Sequence, residues 1–510
     1  MRWIPSVSDS SSRSSFATPD RPPRGGDPYT PIPVSNPIRS GAMLAVAAIT
    51  LLALPAPVLG HQLVGRYESP LPLVAYLGAA AFAVALSFAL VLSRPVAPTG
   101  AGAEARRRTI TAPRALRMGL RIIGLIGWGL VVGQALGGGS GAADPASLVL
   151  WVYGWVGLAI VSVLVGPAWR WIDPFATLHD AGAGLLRGIG LTGWQTTPYP
   201  AALARWPAVV GLGAFIWFEL AVHAARGGAT LGVILIGYTA LTLLCMAIFG
   251  RDSWRTNGEV FSVWFGTLNR MAPLDVAAGA PAGRPAGTLE VRRLGAGLRE
   301  ADWSVDRLVL VALAIGAVIF DGLSQTQPWY DLFGQQAFAG LTGQLLVFLG
   351  LIVAAVLVTG RIVGVAALGA GLVPVAAGYV IAHYLTYLLV DGQRIVIVLS
   401  DPFALGWDLV GTAAFEPTGD WLPPAIVWVA QVVAVVGGHV IGAVAGHDVA
   451  VREALAEGGD ETSAIRRARR RQVPLAILMV CLTTLTLWSL GQNLVEETDE
   501  LARVSSIAQP

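Results

Sequence analysis

Six histidines are spread along this chain, and four of them fall within or at the ends of long apolar segments. His223 follows Glu219 by four residues, so both side chains would lie on one face of a helix, near its end. His383, Tyr387 and Asp391 repeat that spacing in a later apolar segment. Because ionisable groups are costly inside a bilayer, each of these residues is a candidate functional residue.

Two further groups are predicted to lie at a similar depth, toward the same side of the membrane. Asp321 ends a third apolar segment, and His61 falls in the loop after the first one. Imidazole and carboxylate groups together suit zinc, copper or iron, and a bound metal can lower the pKa of a water to about 7, which creates a nucleophile. The sequence therefore predicts a transition-metal site for zinc or copper. Its candidate ligands are His61, His383, Asp391, His223, Glu219 and Asp321.

Each of these residues also has a purely structural interpretation. Glu219 and His223 could form a buried hydrogen-bonded pair, and His383 could bond to a neighbouring helix. His439 stands among glycines in a later apolar segment, and we predict that it lines a cavity or a proton path. The alternative for His439 is a packed side chain bonded to a backbone carbonyl. The sequence alone assigns no catalytic residue.

The elements that must position these side chains are apolar segments long enough to cross a hydrocarbon core of about 30 Å. Of the 510 residues, 54% are hydrophobic and 13% are charged, about half the roughly 25% charged share of soluble domains. Eleven apolar segments occur, so we predict an all-α polytopic transmembrane helical bundle. They lie at 41–60, 72–93, 119–138, 147–168, 207–223, 229–249, 304–323, 339–359, 366–390, 424–446 and 473–494.

Arginine placement orients these spans. All 34 basic residues are arginines, and basic residues accumulate in cytoplasmic loops. A cytoplasmic N-terminus leaves only Arg66, Arg226, Arg394 and Arg503 on the external side. We therefore predict a multi-pass plasma-membrane protein.

With a net charge of +2, nucleic acid is not an expected partner. The expected partners are the lipid bilayer and a small-molecule substrate, with another membrane protein as an alternative.

The domain organisation follows from these spans. Residues 1–40 are rich in Ser, Pro and Arg, which predicts a disordered tail. Residues 41–60 form either the first span or a leader cleaved before His61, which would leave ten spans. The remaining segments are predicted as membrane helices 2–6 at 61–249, a cytoplasmic loop at 250–303, membrane helices 7–11 at 304–494 and an external tail at 495–510.

Two patterns predict how these segments pack. In the loop 250–303, apolar residues from Val260 to Met271 fall on one helical face, which predicts an amphipathic helix lying at the membrane interface. Residues 277–297, rich in Gly, Ala and Pro, predict a flexible linker. Glycines repeat every four residues at 129–137 and again at 438–446. Such repeats favour close approach of helix backbones in lipid.

Six stretches of the chain resemble, in the same order, a family of actinobacterial polytopic membrane proteins commonly labelled fenitrothion hydrolase. They are Gly60–Pro72, Trp169–His179, Phe320–Tyr330, Ala377–Gln393, Leu399–Ala413 and Gly437–Asp448. The resemblance runs from about residue 58 to 450. It implies hydrolysis of an organophosphate triester at an aryl–oxygen–phosphorus bond. The histidine-bearing motifs of that family match here at His61, His383, His439 and His447, but not at His223.

Two functions therefore remain open from the sequence. The first is a metal-dependent hydrolase of organophosphate-type esters with a site toward the external face. The alternative is a membrane transporter or a copper-type metal-handling protein without hydrolytic activity. The chain has no Walker A, H-E-x-x-H or G-x-S-x-G motif, which argues against an ATPase, a standard metalloprotease and a serine hydrolase.

Overall fold

Nearly every element of the structure, a computed structural model, is a helix, which confirms the predicted all-α membrane bundle. Within the described residues, nine helices are long and apolar enough to cross a membrane. The first apolar segment, 41–60, and the two predicted tails lie outside the described residues. The structure describes residues 73–92, 108–137, 145–191, 196–222, 229–276, 287–300, 302–334, 338–458 and 460–492.

The helices follow the predicted apolar segments closely, with short helices between them. They are α1 (Leu73–Leu92), α2 (Arg114–Gly137), α3 (Pro145–Leu164), α4 (Ala168–Ile172), α5 (Pro174–Gly188), α6 (Trp206–Ala221), α7 (Ala229–Phe249), α8 (Arg251–Asn257), α9 (Val260–Leu268), α10 (Val305–Ser324), α11 (Gln327–Phe333), α12 (Phe338–Val363), α13 (Val365–Val390), α14 (Ile395–Ser400), α15 (Pro424–Ala456), α16 (Glu461–Arg471) and α17 (Val473–Leu490). Within α3, residues Leu148–Gly157 are wound as a π-helix.

Helix starts outside the apolar cores are specified by local capping. Asp173 precedes α5, and its carboxylate accepts a hydrogen bond from the backbone N–H of Ala176 at 3.0 Å. Pro174 occupies the first position of that helix, where its missing N–H costs nothing. Asp460 caps α16 in the same way, with the N–H of Ser463 at 3.0 Å. These caps satisfy orphan donors that every helix start exposes.

The glycine repeat at 438–446 packs α15 directly against α13, as predicted. A methyl group on Gly438 would overlap the carbonyl oxygen of Pro374, and one on Gly442 would overlap that of Gly371. The repeat at 129–137 behaves differently, and the prediction of close backbone approach there is wrong for the described residues. At 129 and 137 a methyl group would meet no described atom within 4 Å, and at 133 only a Phe403 ring atom at 3.8 Å.

The arginine-bearing loops come together at one end of the bundle. Asp180 of α5 pairs with Arg121 of α2 at 3.0 Å and with Arg251 of α8 at 2.6 Å. Asp448 of α15 pairs with Arg299 at 2.6 Å. These contacts agree with the side-by-side placement that the arginine pattern predicts, whereas the side of the membrane that this end faces stays a prediction. We call it the arginine-rich end; it contains residues 108–121, 165–191, 196–205, 250–276, 287–300, 302–307, 448–458 and 460–472.

The segment 250–303 contributes two strands of a small sheet and a buried helix. Strands β1 (Thr109–Thr111), β2 (Leu274–Val276) and β3 (Thr288–Val291) make an antiparallel sheet in the order β1-β3-β2. The linker predicted at 277–297 therefore includes a strand, while 277–286 lies outside the described residues. Helix α9 forms where an interfacial helix was predicted, but its apolar side chains are buried against α3, α6 and α13. The protein interior, and not the lipid surface, covers them.

The α13–α15 contact gives a matched pair of substitutions. Gly438→Ala should lower the free energy of unfolding by about 1–3 kcal/mol, because the added methyl group forces two backbones apart. Gly437→Ala should be close to neutral, since no atom lies within 4 Å of the position that its methyl group would take. Thermal unfolding of the two purified variants in detergent measures the difference. Equal midpoints for the two would contradict the close contact.

Candidate functional site

Asp321 is the centre of a polar cluster at the end of the bundle opposite the arginine-rich end. It lies in the last turn of α10, whose first turn carries Arg307. One carboxylate oxygen lies 3.0 Å from Nε2 of His383 and accepts a hydrogen bond from the Tyr384 hydroxyl, also at 3.0 Å. The other oxygen accepts from the Gln325 amide at 2.8 Å. We call Asp321, Gln325, His383 and Tyr384 the Asp321 cluster.

The carboxylate fixes the tautomer of His383. An ionised carboxylate can only accept, so Nε2 carries the hydrogen that points at Asp321. In the neutral ring Nδ1 then keeps its lone pair, available to a proton or a metal ion. Gly322 leaves space beside this edge of the ring, because a methyl group there would lie 3.3 Å from His383 Cε1 and 3.5 Å from Nδ1. The His383 side chain is 15% exposed, so neighbouring protein atoms do not cover it completely.

Glu219 lies near the same cluster. It occupies the last turn of α6, close enough for its charge to act on the Tyr384 hydroxyl. The structure therefore brings together three of the six residues predicted as ligands, namely Glu219, Asp321 and His383. Sequence spacing alone could not show this, since they come from three different helices.

Asp391 does not join this cluster. It begins the turn after α13, and its carboxylate lies 3.3 Å from Nε of Arg394. Eight residues of helix, about 12 Å, separate it from His383. The predicted grouping of Asp391 with His383 is therefore replaced by a local ion pair. His61 and His223, the remaining predicted ligands, lie outside the described residues.

The donor set around His383 can be tested against a metal site. Metal-binding histidines usually donate their second ring N–H to a carboxylate, and the His383–Asp321 pair has that arrangement. Among the described residues, however, no group of three His, Cys, Asp or Glu side chains stands close enough to hold one ion. The described part of the site thus supplies one well-oriented imidazole. Any further histidine ligands among those predicted would be His61 and His223.

His439 is fully buried in α15 and is bonded on both ring nitrogens. Nδ1 lies 2.7 Å from the carbonyl oxygen of Val435, and Nε2 lies 2.7 Å from the Thr483 hydroxyl. That hydroxyl also lies 2.7 Å from the carbonyl oxygen of Met479. This contact to a backbone carbonyl is the packed alternative foreseen for His439.

The same arrangement accommodates a proton. In the neutral ring, Nδ1–H donates to Val435 and the single Thr483 hydrogen donates to Nε2. In the protonated ring, Nε2–H donates to the Thr483 oxygen, and the hydroxyl hydrogen turns to Met479. Both protonation states of His439 therefore find partners without a change of backbone, which is what a proton path requires.

A row of hydroxyls extends from His439 toward the Asp321 cluster. On α17 the buried Thr483, Thr486 and Ser489 follow each other at helical spacing. The buried Tyr379 hydroxyl interacts with Thr483 and Thr486 but has no well-aligned hydrogen-bond partner among the described residues. We call these four residues the hydroxyl column. Its far end meets the cluster at Gly322, where a methyl group would lie 3.4 Å from Ser489 Oγ.

The hydroxyl column does not continue toward the arginine-rich end within the described residues. His447 lies eight residues beyond His439 on α15, and its Nδ1 pairs with the Gln472 side chain at 3.1 Å. Between the two histidines, the buried Met479 packs against Gly442 and the buried Leu475 packs against Gly446. The polar interior therefore opens toward the Asp321 cluster and is closed by apolar packing on its other side.

Sequence reasoning missed Tyr384, Gln325 and the hydroxyl column. Two signals were present. Tyr384 directly follows the predicted His383, and the hydroxyl residues of the last apolar segment recur every three residues from 483 to 489. Ser and Thr residues commonly bond their own helix backbone, so this spacing does not by itself indicate a functional row.

The chain was compared with known proteins. No protein-family model, no curated protein and no solved structure matches it.

The contact between His439 and Thr483 gives a second matched pair. Thr483→Val should cost about 1–3 kcal/mol more than Thr484→Val, because it leaves a buried ring nitrogen without a partner. Thr484 lies beside it and bonds only to its own helix, with 2.9 Å to the Val480 carbonyl. Thermal unfolding in detergent gives the comparison, and similar losses for both variants would argue against the contact.

Proposed function

We propose that this chain is a multi-pass membrane hydrolase that cleaves organophosphate-type esters at the Asp321 cluster, with transition-metal assistance. The observation that carries the proposal is the 3.0 Å contact between His383 Nε2 and Asp321, which leaves Nδ1 of the ring available. The resemblance of the sequence to the fenitrothion hydrolase family supports the choice of substrate class. The placement of the cluster at the end away from the arginine-rich loops supports an externally facing site.

The cluster has the parts of an acid–base pair. Asp321 accepts the hydrogen bond from Nε2–H of His383 and so orients the imidazole. It also stabilises the positive charge that forms on the His383 ring when Nδ1 takes a proton from water. Tyr384 and Gln325 donate to the carboxylate and fix its direction. Positioned acid–base groups of this type contribute about 10²–10⁴-fold to a rate. The activated water would attack phosphorus, and the aryloxide would leave as the phosphorus–oxygen bond breaks.

A zinc or copper ion would be held by His383 Nδ1; the other two histidines predicted as ligands, His61 and His223, lie outside the described residues. When bound, such an ion would polarise the phosphoryl oxygen and acidify a water. Nδ1 cannot bind a metal and accept a proton at once, so metal dependence and general-base catalysis by His383 are separable by experiment. Asp321 has the same orienting role in both cases.

Substitutions in the cluster test the hydrolase proposal. His383→Gln and Asp321→Asn should each lower kcat for a dialkyl nitrophenyl phosphate by about 10²-fold or more, because acid–base assistance is lost. Asp331→Asn is the matched control, since Asp331 is an exposed acid on the neighbouring α11. Nitrophenol release by purified protein gives the rates, and metal content is measured on the same samples.

The outcomes separate the parts of the proposal. Hydrolysis by wild type that disappears in both cluster variants and survives in the control supports it. Loss of bound metal in the His383→Gln variant would also support a role for His383 as a metal ligand. Absence of hydrolysis in wild type with and without added zinc or copper would overturn the enzyme proposal.

A transporter is the second candidate, and the hydroxyl column favours it. Proton-coupled transporters carry ionisable groups inside the bundle, and His439 has partners in both protonation states. Because Leu475 and Met479 close the column on one side, transport would require α17 to move relative to α15. Proton or copper flux into proteoliposomes that is lost in His439→Gln, while hydrolysis is absent in wild type, would select this alternative.

A further inference from the structure

A polar cavity lies at the arginine-rich end, far from the Asp321 cluster. It has a volume of about 550 Å³ and is lined by residues from α3, α4, α8, α9, β2 and the first turn of α10. We propose that this cavity binds a phosphate-bearing anion, either a soluble phosphate compound or the headgroup of an anionic phospholipid. Small-molecule sites commonly have volumes of about 300–1,000 Å³.

Arginines from four separate segments line the cavity. They are Arg170, Arg255, Arg270 and Arg307. Guanidinium groups match phosphate oxygens through pairs of parallel N–H donors. Four such groups from distant parts of the sequence converge only in the folded chain, so this is not a stretch of basic sequence facing water.

The acids in the cavity wall form their short ion pairs with arginines other than these four. Asp252 pairs with Arg251 at 3.0 Å, and Asp275 pairs with Arg292 at 2.5 Å. Both partner arginines lie outside the cavity lining. The carboxylates nearest the proposed ligand are therefore already engaged by other cations.

A single carboxylate, that of Asp302, forms ion pairs with two of the lining arginines. Asp302 lies 2.6 Å from Arg307 and 3.5 Å from Arg270, and it also pairs with Arg205. Arg205 has a second acidic partner, Asp306, at 3.9 Å, so two carboxylates stand against these three arginines. Arg255 has a partner of its own, with 2.7 Å between its Nε and the buried Asp173. The shortage of acids lies on the Arg270–Arg307 side of the cavity.

Arg170 is the most available cation of the four. Its guanidinium makes no hydrogen bond or ion pair with any described residue. Desolvation of the guanidinium, and then repulsion from Arg255, lower the pKa of Arg170, while Asp252 and Asp275 act in the opposite direction; the residue as a whole stays exposed. An anion placed between the arginines would relieve that repulsion.

Buried polar atoms in the wall also lack partners. Arg307 is 6% exposed, and its Nε has no hydrogen-bond partner within the described chain. Asn269, 3% exposed, has an unpartnered side-chain oxygen in the same wall. A buried polar atom without a hydrogen-bond partner is unfavourable. A phosphate oxygen of the ligand would accept a hydrogen bond from Nε–H of Arg307. A hydroxyl of the ligand would donate one to the side-chain oxygen of Asn269.

The two sources of phosphate are separated with full-length protein. Inorganic phosphate binding is measured by equilibrium dialysis of delipidated protein in a non-ionic detergent. Lipid binding is measured in nanodiscs of phosphatidylcholine with or without phosphatidylglycerol, by the phosphatidylglycerol retained on extraction. Arg170→Gln combined with Arg270→Gln removes two lining cations. Arg187→Gln combined with Arg293→Gln is the matched control, because both are exposed arginines of the same end outside the cavity.

The expected result is binding of one probe by wild type and an affinity lower by about tenfold or more in the double cavity variant, because charge-assisted hydrogen bonds contribute at least that factor. The control should bind as wild type does. Phosphate binding identifies a soluble ligand, and selective retention of phosphatidylglycerol identifies a headgroup. Equal losses in the cavity and control variants, or no binding of either probe by wild type, would overturn the proposal. Thermal unfolding without ligand shows that both double variants are folded.

Discussion

Direct backbone contact between α13 and α15 is the constraint on which the interior depends. At Gly378, Gly438 and Gly442 the two helices approach so closely that a methyl group would overlap the backbone of the facing helix. This approach brings His439 of α15 beside Tyr379 of α13, with 5.7 Å between their ring centroids, and lets α17 place its hydroxyls against both. In lipid, where no hydrophobic force drives one apolar helix onto another, packing and buried hydrogen bonds determine which helices associate.

Charge is divided between the two ends of the bundle, and the division has a physical cause. Asp321, His383 and Glu219 form a compact group that is partly open at one end, where each carboxylate has polar neighbours. The other end carries a network of arginines and aspartates that joins α2, α5, α8, α10 and α15 through short loops. Between them the spans hold few ionisable groups, since an unpaired charge in hydrocarbon is expensive. A site at one end is therefore insulated from a site at the other by about 30 Å of helix.

The elements were predictable because their signals are local and strong. Apolar length predicts the spans from 72–93 onward, and each coincides with a helix; the Asp–Pro pair at 173–174 is a helix start with a known mechanism. Predictions that depended on what a surface would meet fared less well. The apolar face of α9 was assigned to lipid and packs inside the protein, and the glycines at 129–137 form no close helix contact in the described chain. A periodic apolar pattern shows that one face of a helix will be covered, but it does not show whether lipid or protein covers that face.

The sequence by itself determined the all-α class and the grouping of arginines into one set of loops, and it singled out His383, Asp321 and His439 as candidate functional residues. Only tertiary structure decided which of these residues meet. His383 pairs with Asp321 and not with Asp391. Helix geometry keeps groups eight residues apart on separate levels, whereas the C-terminal parts of α10 and α13 lie side by side and bring Asp321 and His383 to the same level. The four-arginine cavity likewise exists only in the fold, since its arginines come from four separate segments. The hydroxyl column is visible in part in the spacing of Thr483, Thr486 and Ser489 on α17, but only the fold places Tyr379 of α13 beside them.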